Sequence, residues 1–586
     1  MVETSFSFLS IVKVLALFRA KEANLRHRKV FYWQKFGGKT NPSESIVSEV
    51  SQYLPSRREW ARPNKKQRHL QYRPSVDILH DSIYRKVEGV YRADRLQEFE
   101  WGRRLLDFVD RVQQRVSGND FSFKRPEIMM RKKAVAIGCR PKYRCITAYR
   151  DLEDRVILAL ANKYLSAKLD CQLSDDCYAF RKGKKSPVGR AIGKLVDFRS
   201  RNNTSLLYVV ECDIVKFFDT ISHDKVKAIF AEACKTANVD DKAIDIIKAF
   251  LASYDVRDIM RCGFWQKLSK SDDWSFLQDL PEGGRFGIPQ GGALSGLLSN
   301  LVLSSVDKAV EKFRSQDFLY IRYCDDIIIV GKRKDDCLKA FDLCADGLKR
   351  LGLRIYSPDQ NVQYGADYYT AKSKGPFVWG APFVVSNAIP WVSYLGYSIR
   401  YDGSARLRKE TLVGHVKSIR EECETFLANS SRFGFRNPAD KQKVIQSFLC
   451  RLLSKGTGRI HSEPIKGLGR CWLSAFRFVG ESKVGLKQMK YLDYVRSSAI
   501  ARLLRLLKVK LNSGKEGDSD TSLYLGKPFS FYGSCLKMKR KSISETHGII
   551  VSDLKEYSKP DRPDWDGFGL YDEEIDTSGW ERASGR

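Results

Sequence analysis

The sequence predicts a mixed α/β (α+β) chain, with a small antiparallel sheet set among helices and a helix-rich C-terminal region after it. Three observations predict this. Phe318–Arg322 and Ile327–Gly331 are apolar runs flanking Tyr323-Cys324-Asp325-Asp326, the pattern of strand, tight turn and strand. Leu206–Cys212 is a third apolar run and ends against Asp213. From residue 407 to about 510, as in Lys487–Arg496 and Ala501–Lys508, apolar residues recur three or four apart with cations between them. That is the spacing of helices with one packed face. A chain of 586 residues is too long for one core, so several domains are expected.

Residues 1–75 read as a basic N-terminal extension. It opens on Phe6–Phe18, an apolar stretch interrupted by Lys13, without a leader's basic start or small-residue cleavage site; it reads as a packed amphipathic helix. Between Arg19 and Arg68, basic residues outnumber acidic ones roughly three to one, with Tyr32, Trp33, Tyr53 and Trp60 interspersed. Cations beside aromatic faces suit single-stranded nucleic acid or RNA, and Lys65, Lys66 and Arg68 are the candidate contacts. The net charge of +32 opposes compaction and favours polyanionic partners. No apolar run is long enough to span a bilayer, so the expectation is a cytoplasmic protein with no membrane partner. The 14 cysteines are scattered, without CxxC pairs or histidines at zinc spacing, and read as reduced, buried thiols.

Residues 76–204 read mostly as helices with short strands, and residues 205–403 hold the sheet. Within the latter a helix is expected from His223 to about Tyr254, and another over Asp335–Leu351. The polar stretch Lys267–Gly284 reads as a surface insertion. Residues 404–511 are the helical region. Residues 512–586 comprise a polar linker, a C-terminal segment and an acidic tail from about Asp561, read as disordered.

Two adjacent aspartates at the tip of an apolar hairpin repel each other, and a divalent cation supplies a reason for them. Asp213, at the end of a separate buried strand, provides a third carboxylate. Three carboxylates around two magnesium ions are what in-line phosphoryl transfer needs.

Together these segments resemble the motifs of the reverse transcriptases. Asp213-Ile214-Val215-Lys216-Phe217-Phe218-Asp219 resembles motif A, Gly287–Asn300 with its Pro289-Gln290-Gly291-Gly292 resembles motif B, and Tyr323–Asp326 resembles motif C, in the family's order. The resemblance implies a right-hand polymerase fold: fingers over 76–204, a palm with motifs A to E over 205–403, and a thumb-like domain over 404–511. It implies an RNA-directed DNA polymerase with Asp213, Asp325 and Asp326 as catalytic residues. These three, with Ile214, would hold two Mg2+ ions, Mn2+ being the alternative. Deoxynucleoside triphosphates are the implied substrates, RNA the template and DNA the product. Tyr143–Thr147 and Tyr178–Lys184 resemble the finger motifs whose cations clamp the triphosphate, and Arg144 and Arg181 are the matching positions. Phe217, Phe218, Gln290 and Gly291 match the nucleotide pocket. Phe218, five residues after Asp213, matches the bulky residue that excludes a 2′-hydroxyl. Gly352–Ile355 resembles motif D, but the lysine that usually follows is missing from Pro358–Asn361, leaving Lys372 and Lys374 as candidates for its role. Tyr394, Leu395 and Gly396 resemble motif E, the primer grip.

The long helical C-terminal region, the YCDD tip and the run from Tyr394 to Arg408 look like the bacterial defence-associated and abortive-infection (unknown-group) reverse transcriptases. Within that group, the type 3 defence system pairs two reverse transcriptases with a noncoding RNA. The resemblance implies a role in antiviral defence, a start on a noncoding RNA or a protein hydroxyl, an oligomer and a second reverse transcriptase as partner. Two other readings remain. One is a group II intron-type reverse transcriptase and maturase, which has similar PQGG loops. The other is an RNA-binding scaffold without catalysis, which the intact aspartates oppose.

Overall fold

The computed structural model describes residues 5–36, 49–62, 76–118, 120–132, 143–181, 187–270, 272–358, 368, 371–430, 445, 448–449, 452, 477–508 and 529. Lys65, Lys66, Arg68 and the acidic tail lie outside the described residues.

The N-terminal helix, Phe8–Phe36, buries Ile11, Val12, Leu15, Ala16 and Ala20 against the helices Val76–Arg92 and Leu152–Leu169. Val50 and Leu54 join the same cluster, and Tyr53 packs its ring on Phe108 at 4.6 Å. The start of the chain is therefore part of the main core rather than a separate basic appendage, because its apolar positions need that cover.

Strands β1 (Glu127–Lys132) and β2 (Tyr143–Ala148) form an antiparallel hairpin. The central sheet follows, built of β3 (Leu207–Cys212), β4 (Phe318–Tyr323), β5 (Asp326–Gly331) and β6 (Lys374–Trp379) in the order β4-β5-β3-β6, all antiparallel. Side chains alternate across it. Val210 and Cys212 face a core shared with the helices Ser295–Glu311 and Lys334–Arg350, while Leu207 and Val209 face a second core with Trp379 and the helix Pro187–Arg201. Continuing the alternation puts Glu211 and Asp213 on the second face.

A third sheet, β7 (Trp391–Tyr394), β8 (Tyr397–Arg400) and β9 (Ala405–Leu407), packs with the second core. Beyond it the helices Lys409–Ser430 and Lys483–Leu506 pack on each other. The latter is one continuous helix across the two segments read from the sequence.

Two further expectations change. The helix expected from His223 is two, His223–Thr236 and Asp241–Ala252. Asn238 takes a left-handed φ of 48° between them, and the Asp240 side chain accepts the Lys242 N–H to cap the second. The stretch Lys267–Gly284 is not merely a surface loop. Leu268, Trp274, Phe276 and Leu277 are buried against Tyr143 and Cys145 of β2. No helix among the described residues is long and apolar enough to cross a membrane.

Candidate active site

The hairpin joining β4 to β5 turns on two residues, with Tyr323 paired to Asp326. Cys324, the first turn residue, has φ 61°. Left-handed backbone at that position is the II′ pattern that normally takes glycine, so a cysteine there needs outside support. Arg322 provides it. Its side chain is fully buried; one terminal nitrogen donates to the Cys324 carbonyl at 3.0 Å and to Asn300 Oδ1 at 3.1 Å. Its other nitrogens reach both oxygens of Asp307, at 2.7 and 2.6 Å, and the Tyr320 hydroxyl donates to the same carboxylate at 2.7 Å. Asn300 and Asp307 lie on the helix Ser295–Glu311, so this network fixes the aspartate hairpin to the helix behind it.

Asp213 arrives from β3. The last β3–β5 pair is Cys212 with Ile327, and one step further sets Asp213 beside Asp326. The Asp213 carbonyl accepts the Tyr356 N–H at 3.1 Å and the Val215 N–H donates to Arg354 at 2.8 Å, so residues 354–356 form a short rung beside it. That pairing leaves the Ile214 carbonyl outside it. Lys372 Nζ lies 3.5 Å from Asp213 Oδ2 and 3.2 Å from the Tyr356 hydroxyl. Burial works against the Lys372 charge, but the Tyr356 hydroxyl and Asp213 outweigh it and raise its pKa. Lys374 is occupied elsewhere, paired at 2.5 Å with Glu211, a fourth acid on the same face of β3. Of the two lysines considered for the motif D role, Lys372 is the one at the aspartates.

Among the described residues, no three acidic, histidine or cysteine side chains converge tightly enough to form a ready-made metal cage. The chemistry of the donors nevertheless fits one. The Asp326 carboxyl is pushed up to about 7, first by burial and then by Asp325, Asp213 and Glu211. Asp326 is exposed at the start of β5, so water moderates the effect, and Lys372 and Lys374 offset part of the charge of Asp213 and Glu211; the acids at this end of the sheet still outnumber the lysines paired with them. Oxygen donors with surplus negative charge select a hard divalent cation, and Asp213, Asp325, Asp326 and the Ile214 carbonyl would hold it.

The motif B loop is tied to two neighbours. The Gly287 N–H donates to Ile221 at 2.8 Å and the Ile288 N–H to Phe218 at 2.7 Å. The Gln290 side-chain amide donates to Asp219 at 3.0 Å, and the Gln290 carbonyl accepts the Thr147 N–H of β2 at 2.8 Å. Gly291 has φ 110°, and a Cβ there would lie 2.8 Å from the Thr147 carbonyl, so only glycine fits. Phe218 is half-buried, edge-on to Phe217 at 5.2 Å, whereas Phe217 is buried in the core. The structure thus places Phe217 as packing and leaves Phe218 partly open.

The finger cations part company. Arg144 is exposed on β2, on the same face as Ile146, which lies against Gly291 of the motif B loop. Arg131 of β1 stands directly opposite Arg144. Like charges so placed repel unless an anion lies between them. Arg131 is not among the residues singled out from the sequence; the β1–β2 register makes it a candidate. Arg181, by contrast, turns inward. Its side chain is 6% exposed, donating to Asp170 Oδ1 at 2.9 Å and to the carbonyls of Ser174 and Asp170. It anchors its own loop rather than presenting a cation to a triphosphate. Tyr394 donates its hydroxyl to the Asp326 carbonyl at 3.2 Å. Leu395 and Gly396 form the β7–β8 turn with φ 47° and 85°, a I′ pattern.

Residues 130–358 match a family model described as reverse transcriptase (RNA-dependent DNA polymerase). No curated protein matches the chain. Solved structures that resemble it include apo telomerase from Candida tropicalis, 11% identical with a TM-score of 0.37, covering 94% of this chain and 89% of that one. Telomerase from Candida albicans, in complex with a TWJ fragment of telomeric RNA, is 12% identical with a TM-score of 0.31, covering 76% of this chain and 68% of that one. Likeness that distant carries no argument here. The family match spans Asp213, the loop at Gln290 and the Asp325–Asp326 hairpin together, so residues 130–358 are a reverse transcriptase domain, and its activity is that of an RNA-directed DNA polymerase, a nucleotidyltransferase.

Proposed function

We propose that the chain copies RNA into DNA by two-metal catalysis at Asp213, Asp325 and Asp326, in antiviral defence, starting on a noncoding RNA or a protein hydroxyl. The observation that carries the catalytic reading is the β3–β5 register, which brings Asp213 beside Asp326 at the acid-rich end of the two central strands. Asp213, Asp325, Asp326 and the Ile214 carbonyl would hold two Mg2+ ions, which when bound would activate a 3′-hydroxyl and neutralise the triphosphate and the leaving oxygen. The remaining roles belong to the chain. Arg144 and Arg131 flank the triphosphate, Phe218 lies under the sugar, Lys372 stands charged beside Asp213 to protonate the leaving pyrophosphate, and Tyr394 ties the primer-grip turn to the aspartates. The helices Lys409–Ser430 and Lys483–Leu506 serve as the thumb, and a second reverse transcriptase joins the assembly. Extension on an RNA template in Mg2+, followed by separate protease and ribonuclease digestion of the product, tests this reading. A mobility shift with one digestion identifies the start, and no synthesis at all would overturn the catalytic reading.

Two outcomes follow from the geometry. Phe218→Ala is expected to retain part of its deoxynucleotide incorporation and to admit ribonucleotides that the wild type rejects. A core phenylalanine cut to alanine would instead cost about 3–5 kcal/mol and lower both alike. The check is the ratio of the two nucleotide classes at matched folded concentration; an unchanged ratio removes Phe218 from the gate.

The second outcome concerns pH. The Asp326 pKa is raised in the folded protein, so without metal the native state holds a proton that the unfolded chain has released. Stability of the metal-free protein therefore falls as pH rises from about 4 toward 7. Metal binding needs the ionised carboxylate, so Mg2+ is expected to raise the Tm more at pH 8 than at pH 6. Equal shifts at both would mean that Asp326 is not a ligand.

A further inference from the structure

One cation next to the aspartates is held in an unusual way. Lys216 lies in the turn between Asp213 and the short helix Phe217–Thr220, with φ 47° and ψ 44°. A residue with a Cβ keeps such a left-handed backbone only where its surroundings impose it. Its Nζ lies 4.7 Å from the centre of the Trp274 ring and 5.7 Å from that of Phe276. Both rings are buried and 5.8 Å apart.

The rings belong to the segment between motifs A and B, and that segment is fixed at two places. Trp274, Phe276 and Leu277 pack on Tyr143 and Cys145 of β2, on the face opposite Arg144. Asp279 pairs at 3.3 Å with Arg354, in the rung beside Asp213. A segment spanning the finger hairpin and the palm thus holds a half-buried ammonium over two rings, three residues from a catalytic carboxylate.

A lysine that serves only solubility needs neither the strained backbone nor the cage. A cation over aromatic faces keeps its charge while losing rotamer freedom. A fixed cation is what an arriving polyanion rewards, because the ordering cost is met before binding.

We propose that Lys216 binds the triphosphate of the incoming nucleotide, and that residues 254–286 are the element that aims it. The proposal rests on the polymerase reading above and deepens it by assigning the insertion a substrate-binding role. Lys216→Met keeps the stem on the rings and removes the charge; Lys216→Arg keeps both. Primer extension by Lys216→Met is expected to show a KM for deoxynucleoside triphosphate raised about tenfold or more, with kcat within about threefold of wild type. Lys216→Arg should stay within about threefold in both. Trp274→Leu should raise KM in the same direction with less effect. A fluorescent deoxynucleoside triphosphate, bound in Ca2+ and read by anisotropy without turnover, should bind Lys216→Met about tenfold more weakly. A KM and an affinity that are unchanged in Lys216→Met, whether or not its Tm falls, would make the cage a structural staple and overturn the proposal. Failure of the polymerase reading shows differently, as absent incorporation by the wild type, and the anisotropy arm still decides on Lys216.

Discussion

Asp325→Asn is expected to abolish nucleotide incorporation, by a factor on the order of a thousand or more, while the protein stays folded and bound to RNA. The amide keeps the shape of the carboxylate and loses its charge, so what disappears is the ligand field for a divalent cation. Folding should not suffer. Asp325 is one of the charges that push the Asp326 carboxyl upward, and removing it relieves repulsion. Loss of activity with an unchanged or higher Tm is therefore the signature, read by incorporation and thermal unfolding on the same preparation. Incorporation near the wild-type rate would contradict the assignment of the hairpin.

Arg322→Met is expected to have the largest effect on stability, about 3–5 kcal/mol. Both Arg322 and Asp307 are fully buried, and the substitution leaves a carboxylate without its cation in a site that water does not reach. It also removes the donor that holds the Cys324 carbonyl in its left-handed turn. Replacing the partner as well, Arg322→Met with Asp307→Leu, removes the stranded charge and should recover most of the stability, since a packed apolar pair often equals a buried ion pair. Activity should not return with it, because the turn still lacks its support. Denaturant unfolding and incorporation measured on all three variants separate the two effects. A single variant within about 1 kcal/mol of wild type would show that the network does not hold the hairpin.

Much of the site was legible because its signals are local. The aspartate hairpin announces itself as two apolar runs around a two-residue turn, and β3 as a third run ending in an acid. The glycines of the motif B loop stand where the backbone needs φ 93° and 110°. What the sequence hid depends on pairing across long separations. Arg131 becomes a candidate only when β1 is laid against β2 and it stands opposite Arg144. Arg322 and Asp307 lie in different elements with nothing in spacing to join them. Arg181 matched a motif and read as a cation for the triphosphate, yet the Asp170 carboxylate and the carbonyls of Asp170, Ser174 and Cys177 take its donors. The stretch Lys267–Gly284 read as surface because a few apolar residues among polar ones make no period; Leu268, Trp274, Phe276 and Leu277 are buried with β2, which is more than a hundred residues earlier.

The most direct test of the account is to purify the full chain with the nucleic acid that accompanies it, add deoxynucleoside triphosphates and Mg2+, and sequence RNA and DNA before and after. The account predicts new DNA complementary to a bound RNA in the wild type and none with Asp213→Ala, the bound RNA being the same in both. No new DNA in the wild type, or equal DNA from the Asp213→Ala protein, would contradict it.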